Sequence, residues 1–185
     1  MIDDVLSDAN TRMDKSVESA RHEFTSIRTG RASAALLDRV QVSAYGTKMP
    51  VNQVATISVP EPRLISITPF DKGTIKDIER AIQESDLGLT PANDGQVIRL
   101  PIPQLTEERR KELVRQVRHM AEEGKVAARN IRRDAIHHLK ELEKDGDVGA
   151  DDIRRAEERL QKLTDQHTAA IDAALKAKEA EIMEV

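Results

Sequence analysis

The chain has 185 residues, a formal net charge of −4, 2% aromatic residues and no cysteine. The absence of cysteine excludes disulfides, thiolate nucleophiles and cysteine-ligated metal centres. No apolar run is long enough to span a bilayer, and the acidic start does not have the pattern of a secretory signal. We therefore expect a soluble cytoplasmic protein that does not bind membranes, with a core of small aliphatic side chains on long helices.

The first segment of the chain is predicted to form a helix with one apolar seam. Its apolar residues recur every three or four positions, which is the spacing of a single helix face. These residues are Leu6, Ala9, Met13, Val17, Ala20, Phe24 and Ile27. Because the seam is narrow, we expect this helix to bury it against other helices.

The middle of the chain has a different composition and period. All seven prolines lie between Pro50 and Pro103, and the residues around Val42 alternate between apolar and polar before a turn at Tyr45–Thr47. Further strands are predicted at residues 54–59, 64–68 and 97–100, with a short helix at residues 74–85. Residues 31–104 are therefore predicted to form a small inserted domain.

Two long helices are predicted after residue 105. The first is expected to begin after an N-cap at Thr106 and to run for roughly 38 residues, about 55–60 Å. Its predicted seam is Leu113, Val117, Met120, Gly124, Ala127, Ile131, Ala135, Leu139 and Leu142. The second is expected to begin at about Asp152, with a seam of Ile153, Ala156, Leu160, Leu163, His167, Ala170, Ala174 and Ile182.

These elements predict an α+β fold. Three helices with narrow seams can bury them only against one another, so residues 1–30 and 105–185 should form an elongated antiparallel three-helix bundle. Residues 31–104 should form a small mixed α/β (β/α/β) domain inserted into it. The two chain crossings, Gly30–Arg31 and Pro103–Gln104–Leu105, are candidates for a hinge. The alternative is a rigid interface between the two domains.

Basic residues concentrate on one face of the first long helix after residue 105. At 100° per residue, eight of them fall within one arc, together with a single acid, Glu122. We call this set the basic stripe: Lys111, Arg115, Arg118, Lys125, Arg129, Arg132, Arg133 and Lys140. The simplest interpretation is a solvated face with ordinary pairs along the helix.

We favour phosphate binding for the basic stripe, because we expect its like charges to lack acidic neighbours and to need a polyanion to neutralise them. Arginine, which outnumbers lysine in it, grips phosphate with two hydrogen bonds. The shortage of aromatic side chains argues against stacking on single-stranded bases. Recognition of the backbone of folded RNA fits better.

Other patterns give no support for catalysis. His137 and His138 with Glu141 could bind a metal, but a third ligand is missing, and the aspartates of residues 145–152 lack the spacing of a calcium loop. The chain contains no phosphate-binding glycine motif and no nucleophile elbow. We therefore expect no enzymatic activity, no metal and no cofactor.

Several stretches of the chain together carry a family likeness that no one of them would carry alone. They are residues 27–33, 36–38, 45–46, 85–89, 98–103, 105–111, 126–127, 129–135 and 162–165. They include IRTGRAS at residues 27–33, IRLPIP at residues 98–103 and RNIRRDA at residues 129–135. Because of these stretches, taken together, the chain resembles the bacterial ribosome recycling factors along essentially its whole length.

The resemblance implies an L-shaped translation factor that enters the ribosome after peptide release. Such factors bind large-subunit ribosomal RNA between the subunits, then act with elongation factor G and GTP to part them. The GTP is used by elongation factor G, so the resemblance also implies no cofactor here. We expect a monomer.

The resemblance assigns ribosomal RNA binding to Arg129 and Arg132, with Arg28, Arg31 and Arg110 as further contacts. The basic stripe adds Arg133, Arg118 and Lys125 to this predicted set. Two departures from the family pattern, the glycines of residues 145–152 and the pair His137–His138, affect only the expected contacts at one end of the bundle.

Two other functional classes stay open. A general RNA-binding or chaperone-like protein could use the same basic stripe, but it would not produce free subunits from ribosomes with elongation factor G. A coiled-coil scaffold would associate with itself through an exposed seam, which a measurement of mass in solution would detect.

Overall fold

The computed structural model describes residues 1–184, and two compact units divide the chain. The helical unit comprises residues 1–28 and the chain from Thr106 onward, and the α/β unit comprises residues 29–105. The elements are α1 (Ile2–Thr25), β1 (Gln41–Ala44), β2 (Thr47–Pro50), α2 (Val51–Val54), β3 (Ala55–Glu61), β4 (Leu64–Pro69), α3 (Ile75–Glu84), β5 (Ala92–Asn93), β6 (Ile98–Pro101), α4 (Glu107–Lys144) and α5 (Ala150–Met183). The predicted α+β fold class is confirmed.

The helical unit consists of α1, α4 and α5, each of which packs against the other two. The predicted N-cap at Thr106 is present, since its hydroxyl accepts a hydrogen bond of 3.1 Å from the Arg109 N–H, and α4 has the predicted 38 residues. α4 ends where Gly146 adopts a left-handed conformation with φ of +79°, which favours glycine. α1 ends at Thr25, so Ile27 lies outside it.

The buried seam differs from the predicted one in the middle of both long helices. Ala121 and Ala128 are buried on α4, whereas Met120 and Ala127, which the spacing favoured, are only half-buried. On α5 the buried residues include Thr164 and Ile171 rather than the half-buried Leu163, Ala170 and Ala174. Each helix packs against two others, so its buried face is wider than one stripe and residue type alone does not locate the centre of that face.

Two residues show how closely the helices of this unit pack. A Cβ atom on Gly124 of α4 would lie 3.2 Å from Ala20 Cβ on α1 and 3.3 Å from Ile171 Cδ1 on α5. His167 is buried on α5, where its Nε2 lies 2.7 Å from Asp14 Oδ1 of α1. A side chain at position 124 would therefore crowd both neighbouring helices, and the contact of His167 with Asp14 links α5 to α1 by polar side chains.

The α/β unit contains a two-stranded sheet, β1–β2, and a four-stranded sheet in the order β3–β4–β6–β5. The pairings in both sheets are antiparallel. Its core includes Val42 of β1, Ile67 of β4, Ile78 of α3 and Leu100 of β6. The short elements β2, α2 and β5 were not predicted, because their residues lack a clear apolar period.

The residues of the predicted hinge come together at the edge of the α/β unit. Gly30 has a φ of +79°, and a Cβ atom there would lie 3.5 Å from Leu105 Cγ and 3.7 Å from the Pro103 carbonyl oxygen. The two chain crossings are therefore neighbours in space, with Arg31 and Gln104 beside them in sequence.

Within residues 1–184, none of the helices has the length and hydropathy that a bilayer span needs.

Candidate nucleic-acid interface

The basic stripe lies on α4, the longest helix of the chain. Leu113, Val117 and Leu139 face the core from the opposite side of the helix. The stripe side chains are exposed or half-buried. Residues 107–144 carry no Phe, Tyr or Trp, so this face offers guanidinium and ammonium groups for phosphates but no large aromatic ring on which a base could stack.

Three stripe residues form the edge of the stripe that faces α5, and we call them the inner row: Arg118, Lys125 and Arg132. Arg118 Nε lies 2.6 Å from Glu179 Oε1, and Lys125 Nζ lies 3.0 Å from Asp172 Oδ1. The third member meets a neutral group, since Arg132 Nη1 donates a hydrogen bond of 2.5 Å to Gln161 Oε1. The inner row is therefore held by α5 along its length.

The ion pairs shift the pKa values of their members in the directions that keep them charged. The hydrogen bond to Asp172 raises the pKa of Lys125, and the hydrogen bond to Glu179 raises the pKa of Arg118. Within the stripe, hydrogen bonds from Arg129 first and Lys125 second lower the pKa of Glu122. These pairs are thus ionised at neutral pH.

The expectation that the basic stripe lacks acidic neighbours is therefore wrong for half of its members. Glu122 also pairs with Arg129 at 3.1 Å, and Lys111 pairs with Glu107 at 3.1 Å. These two pairs lie within α4 itself. For Arg118 and Lys125, the physical reason is that the acidic C-terminal segment folds back along α4 as α5 and brings its carboxylates to the inner row. The acids of α5 are distant in sequence, so the helical wheel of α4 could not include them.

The unpaired cations concentrate toward the C-terminal half of α4. Within residues 1–184, Arg132, Arg133 and Lys140 make no ion pair, and neither does Arg115 nearer the N-terminus. Asp134, the acid next in sequence, is paired with Arg12 of α1 at 3.1 Å. The strongest uncompensated positive charge therefore lies around Arg132, Arg133 and Lys140.

The structure places the other predicted RNA-binding residues on other segments of the chain. Arg110 is in the first turn of α4, and its Nε is buried without a hydrogen-bond partner in the described chain. Arg28 follows the end of α1, and Arg31 lies in the α/β unit. The structure thus brings together Arg118, Lys125, Arg129, Arg132 and Arg133 on one helix face.

Sequence reasoning missed the α5 residues that meet the inner row. Asp165, Asp172 and Glu179 are spaced by seven, as are Arg118, Lys125 and Arg132. Matching seven-residue steps of opposite charge are typical of residues flanking the seam between two long helices. This spacing is visible in the sequence and could have identified the pairs.

The histidines of α4 do not extend the site. His137 Nε2 lies 3.2 Å from Glu141 Oε1, and His138 Nδ1 lies 3.6 Å from Glu141 Oε2, with both histidines exposed. No group of three or more histidine, cysteine, aspartate or glutamate side chains that could hold a metal occurs in residues 1–184.

Comparison with known proteins gives consistent results. The family model described as ribosome recycling factor matches residues 20–183. The ribosome-recycling factor of Rubrobacter xylanophilus is 61% identical over 97% of this chain and 97% of that protein, and the one of Chloroflexus aggregans is 56% identical over the full length of both.

Solved structures are similar over the same extent. A solution structure of the ribosome recycling factor covers all of this chain and 98% of its own, with 44% identity and a TM-score of 0.71. A second, which matches all of both chains with 44% identity and a TM-score of 0.62, comes from models of the T. thermophilus ribosome recycling factor and the E. coli elongation factor G bound to the E. coli post-termination complex.

Proposed function

Because this chain belongs to the ribosome recycling factor family, we propose that it binds the post-termination ribosome and, with elongation factor G and GTP, splits it into subunits. The observation that carries the proposal is the match of the family model to residues 20–183, with relatives that align over their whole length. A structural neighbour is described together with elongation factor G on the post-termination complex. The protein would do this work in the cytoplasm.

Within this function, the basic stripe is the surface that contacts large-subunit ribosomal RNA. The contact is centred on Arg132 and Arg133, because the uncompensated charge lies there. Arg129 lies beside them and is paired with Glu122 of the same helix. Arg118 and Lys125 contribute less than the sequence suggested, since each is paired with an acid of α5. Arg28, Arg31 and Arg110 are further candidate contacts.

The chain itself performs no chemistry in this scheme, and it needs no cofactor. GTP is hydrolysed by elongation factor G, while this protein supplies a rigid RNA-binding rod and a second unit on two linkers. Purified protein should show no GTP turnover, and turnover in the full reaction should disappear when elongation factor G is omitted. GTP hydrolysis by the isolated protein would contradict the assignment.

The two linkers around Gly30 and Leu105 would let the α/β unit move while the helical unit stays on the RNA. Such a hinge requires few residues to change their backbone angles, and the neighbouring chain crossings supply them. Elongation factor G would be the driver of the motion.

The decisive experiment is subunit splitting with a defined post-termination complex. Ribosomes carrying messenger RNA and deacylated tRNA are mixed with this protein, elongation factor G and GTP, and free subunits are measured by light scattering or sedimentation. We expect splitting only when all components are present. Binding to ribosomes without splitting would favour a general RNA-binding protein, and self-association in solution would favour a scaffold.

A further inference from the structure

The contacts between α4 and α5 follow a repeating antiparallel register. Each step of seven along the inner row on α4, from Arg118 to Lys125, is matched by a step of seven backward on α5, from Glu179 to Asp172. The same step leads from Lys125 to Arg132 and from Asp172 to Asp165. The register therefore predicts a third ion pair, between Arg132 and Asp165.

The third layer departs from this register because Gln161 stands between the two charged groups. Its Oε1 accepts the hydrogen bond of 2.5 Å from Arg132 Nη1, and its Nε2 donates a hydrogen bond of 2.9 Å to Asp165 Oδ1. A guanidinium can only donate and a carboxylate can only accept, so the amide fits both neighbours in one orientation. These two hydrogen bonds fix both the oxygen and the nitrogen of the Gln161 amide.

This arrangement treats Arg132 differently from the other two cations of the inner row. Arg118 and Lys125 are oriented by carboxylates, which also cancel their charge toward an approaching phosphate. Arg132 is oriented by a neutral oxygen, and its charge stays uncompensated. Its Nε is buried without a partner, so its outward N–H groups are those of the two Nη atoms.

We propose that Gln161 is a positioning residue that holds the Arg132 guanidinium ready for an RNA phosphate while keeping it free of an ion pair. Asp172 and Glu179 have the opposite effect, because they form ion pairs with Lys125 and Arg118 and so hold these cations in the contact between α4 and α5. The row of polar residues on α5 thus selects which cations of the basic stripe bind RNA. This inference rests on the proposed function of the stripe.

The central test converts the amide into a carboxylate of the same shape. In Gln161→Glu, a salt bridge to Arg132 would replace the neutral contact, the new carboxylate would turn away from Asp165, to which the amide donates, and one cation would be lost to the RNA. We expect binding to purified 70S ribosomes to weaken about tenfold, the scale of one charge-assisted hydrogen bond. The slope of log affinity against log salt concentration should flatten by about one.

The matched control carries the same charge change elsewhere on α5. Gln166 is exposed and lines the groove between α5 and α1. Gln166→Glu should leave the salt slope of ribosome binding unchanged, because no stripe cation is near it. Equal effects of the two variants would show that only the net charge matters, and they would overturn the role of Gln161.

Two further variants separate orientation from charge. Gln161→Met removes the hydrogen bonds to Arg132 and to Asp165, adds no charge and keeps a side chain of similar length between them, so affinity should fall severalfold with a nearly unchanged salt slope. Asp172→Asn removes a carboxylate from Lys125, so the salt slope should steepen. Thermal melting of each variant checks that the helical unit stays folded, and Gln161→Met is the second measurement should Gln161→Glu unfold.

The outcomes are distinct. If the unaltered protein fails to bind 70S ribosomes, the proposed function is wrong. If it binds but the folded Gln161 variants bind with its affinity and salt slope, Arg132 does not depend on Gln161 and the inference is wrong.

Discussion

At the scale of single residues, the partner of each cation decides what it can do. Arg118 and Arg132 occupy equivalent positions on α4, yet one meets a carboxylate and the other an amide. Both arginines belong to the same row of seven-residue steps, so their positions in the sequence give no sign of this difference. The candidate site could thus be predicted as a face of a helix, but not as a set of free and neutralised charges.

The first prediction at this scale concerns Arg132. Arg132→Ala should weaken ribosome binding about tenfold and reduce the salt slope by about one, because one phosphate contact is lost. The melting temperature should change little, since the side chain makes no ion pair in the described chain and loses only an exposed hydrogen bond to Gln161. Ribosome pelleting over a range of salt concentrations measures both effects.

Arg155→Ala is the control for Arg132→Ala, because Arg155 is an exposed arginine of α5 that makes no hydrogen bond or ion pair within residues 1–184. It should bind ribosomes like the unaltered protein. Normal ribosome binding by a folded Arg132→Ala variant would contradict the proposed role of the basic stripe in RNA binding.

The second prediction concerns Asp94, which closes the turn between β5 and β6. Hydrogen bonds from the backbone N–H groups of Val97 and Gln96, and from Arg99, lower the pKa of Asp94 to about 2. The lowered pKa means that the ionised form stabilises the fold above about pH 4, and this contribution is lost as the pH falls toward 2.

Asp94→Asn should therefore lower the free energy of unfolding at pH 7, and the difference from the unaltered protein should narrow below about pH 4. Urea unfolding at pH 7, 5 and 3 measures the narrowing. Asp86→Asn is the control, since Asp86 is exposed in the same unit and makes no hydrogen bond within residues 1–184. A difference that stays constant with pH would contradict the role of the Asp94 charge.

At the scale of elements, the helices were predicted more accurately than their packing. The extent of α4 follows from its capping residue and its apolar period, which are local features. The shift of the buried face to Ala121 and Ala128 depends on where α1 and α5 lie. Small residues at these positions let the backbone of α4 approach those of α1 and α5. No local sequence pattern predicts which of the small residues of α4 will be buried.

The prediction at this scale concerns Gly124. Gly124→Ala gains about 1 kcal/mol of helix propensity, but the added methyl would lie 3.2 Å from Ala20 Cβ and 3.3 Å from Ile171 Cδ1. Ile171 can rotate, whereas Ala20 is fixed to the backbone of α1. Overpacking costs about 1–3 kcal/mol, so we expect a net loss of about 1 kcal/mol in chemical denaturation.

The control for Gly124→Ala is the same change in a chain that already carries Ala20→Gly. Removing the opposing methyl should make Gly124→Ala less costly, and the difference between the two costs measures the contact itself. A stabilising effect of the single substitution would show that the helices separate easily at this point.

At the scale of the whole molecule, the hinge predicted at residues 30–31 and 103–105 can be tested directly because the chain has no cysteine. Spin labels on Lys48→Cys in the α/β unit and Lys144→Cys in the helical unit would report the distance between the units. We expect a broad distribution in the free protein, and a change when ribosomes and elongation factor G are added.

The control for the spin-label pair is Lys15→Cys with Lys144→Cys, since both labels then lie in the helical unit. Its distance distribution should be narrow and unaffected by ribosomes. If the pair that joins the two units is equally narrow and equally unaffected, the units form one rigid body and the linkers are not a hinge.

The sequence by itself determined the helices, the inserted unit of strands and the face on which the basic residues lie. These features follow from the period of apolar residues, from prolines and from capping residues, all of which act within a few positions along the chain. The family likeness of its motifs was also sufficient to indicate the function, and the comparisons confirmed the family.

Only the tertiary structure decided which cations are free, which small residues are covered and where the short strands β2 and β5 pair. Arg132 meets Gln161 across 29 positions of the sequence, and Arg118 meets Glu179 across 61. Electrostatic neutralisation and close packing depend on distance in space, which falls to a few ångströms only after α5 folds back along α4.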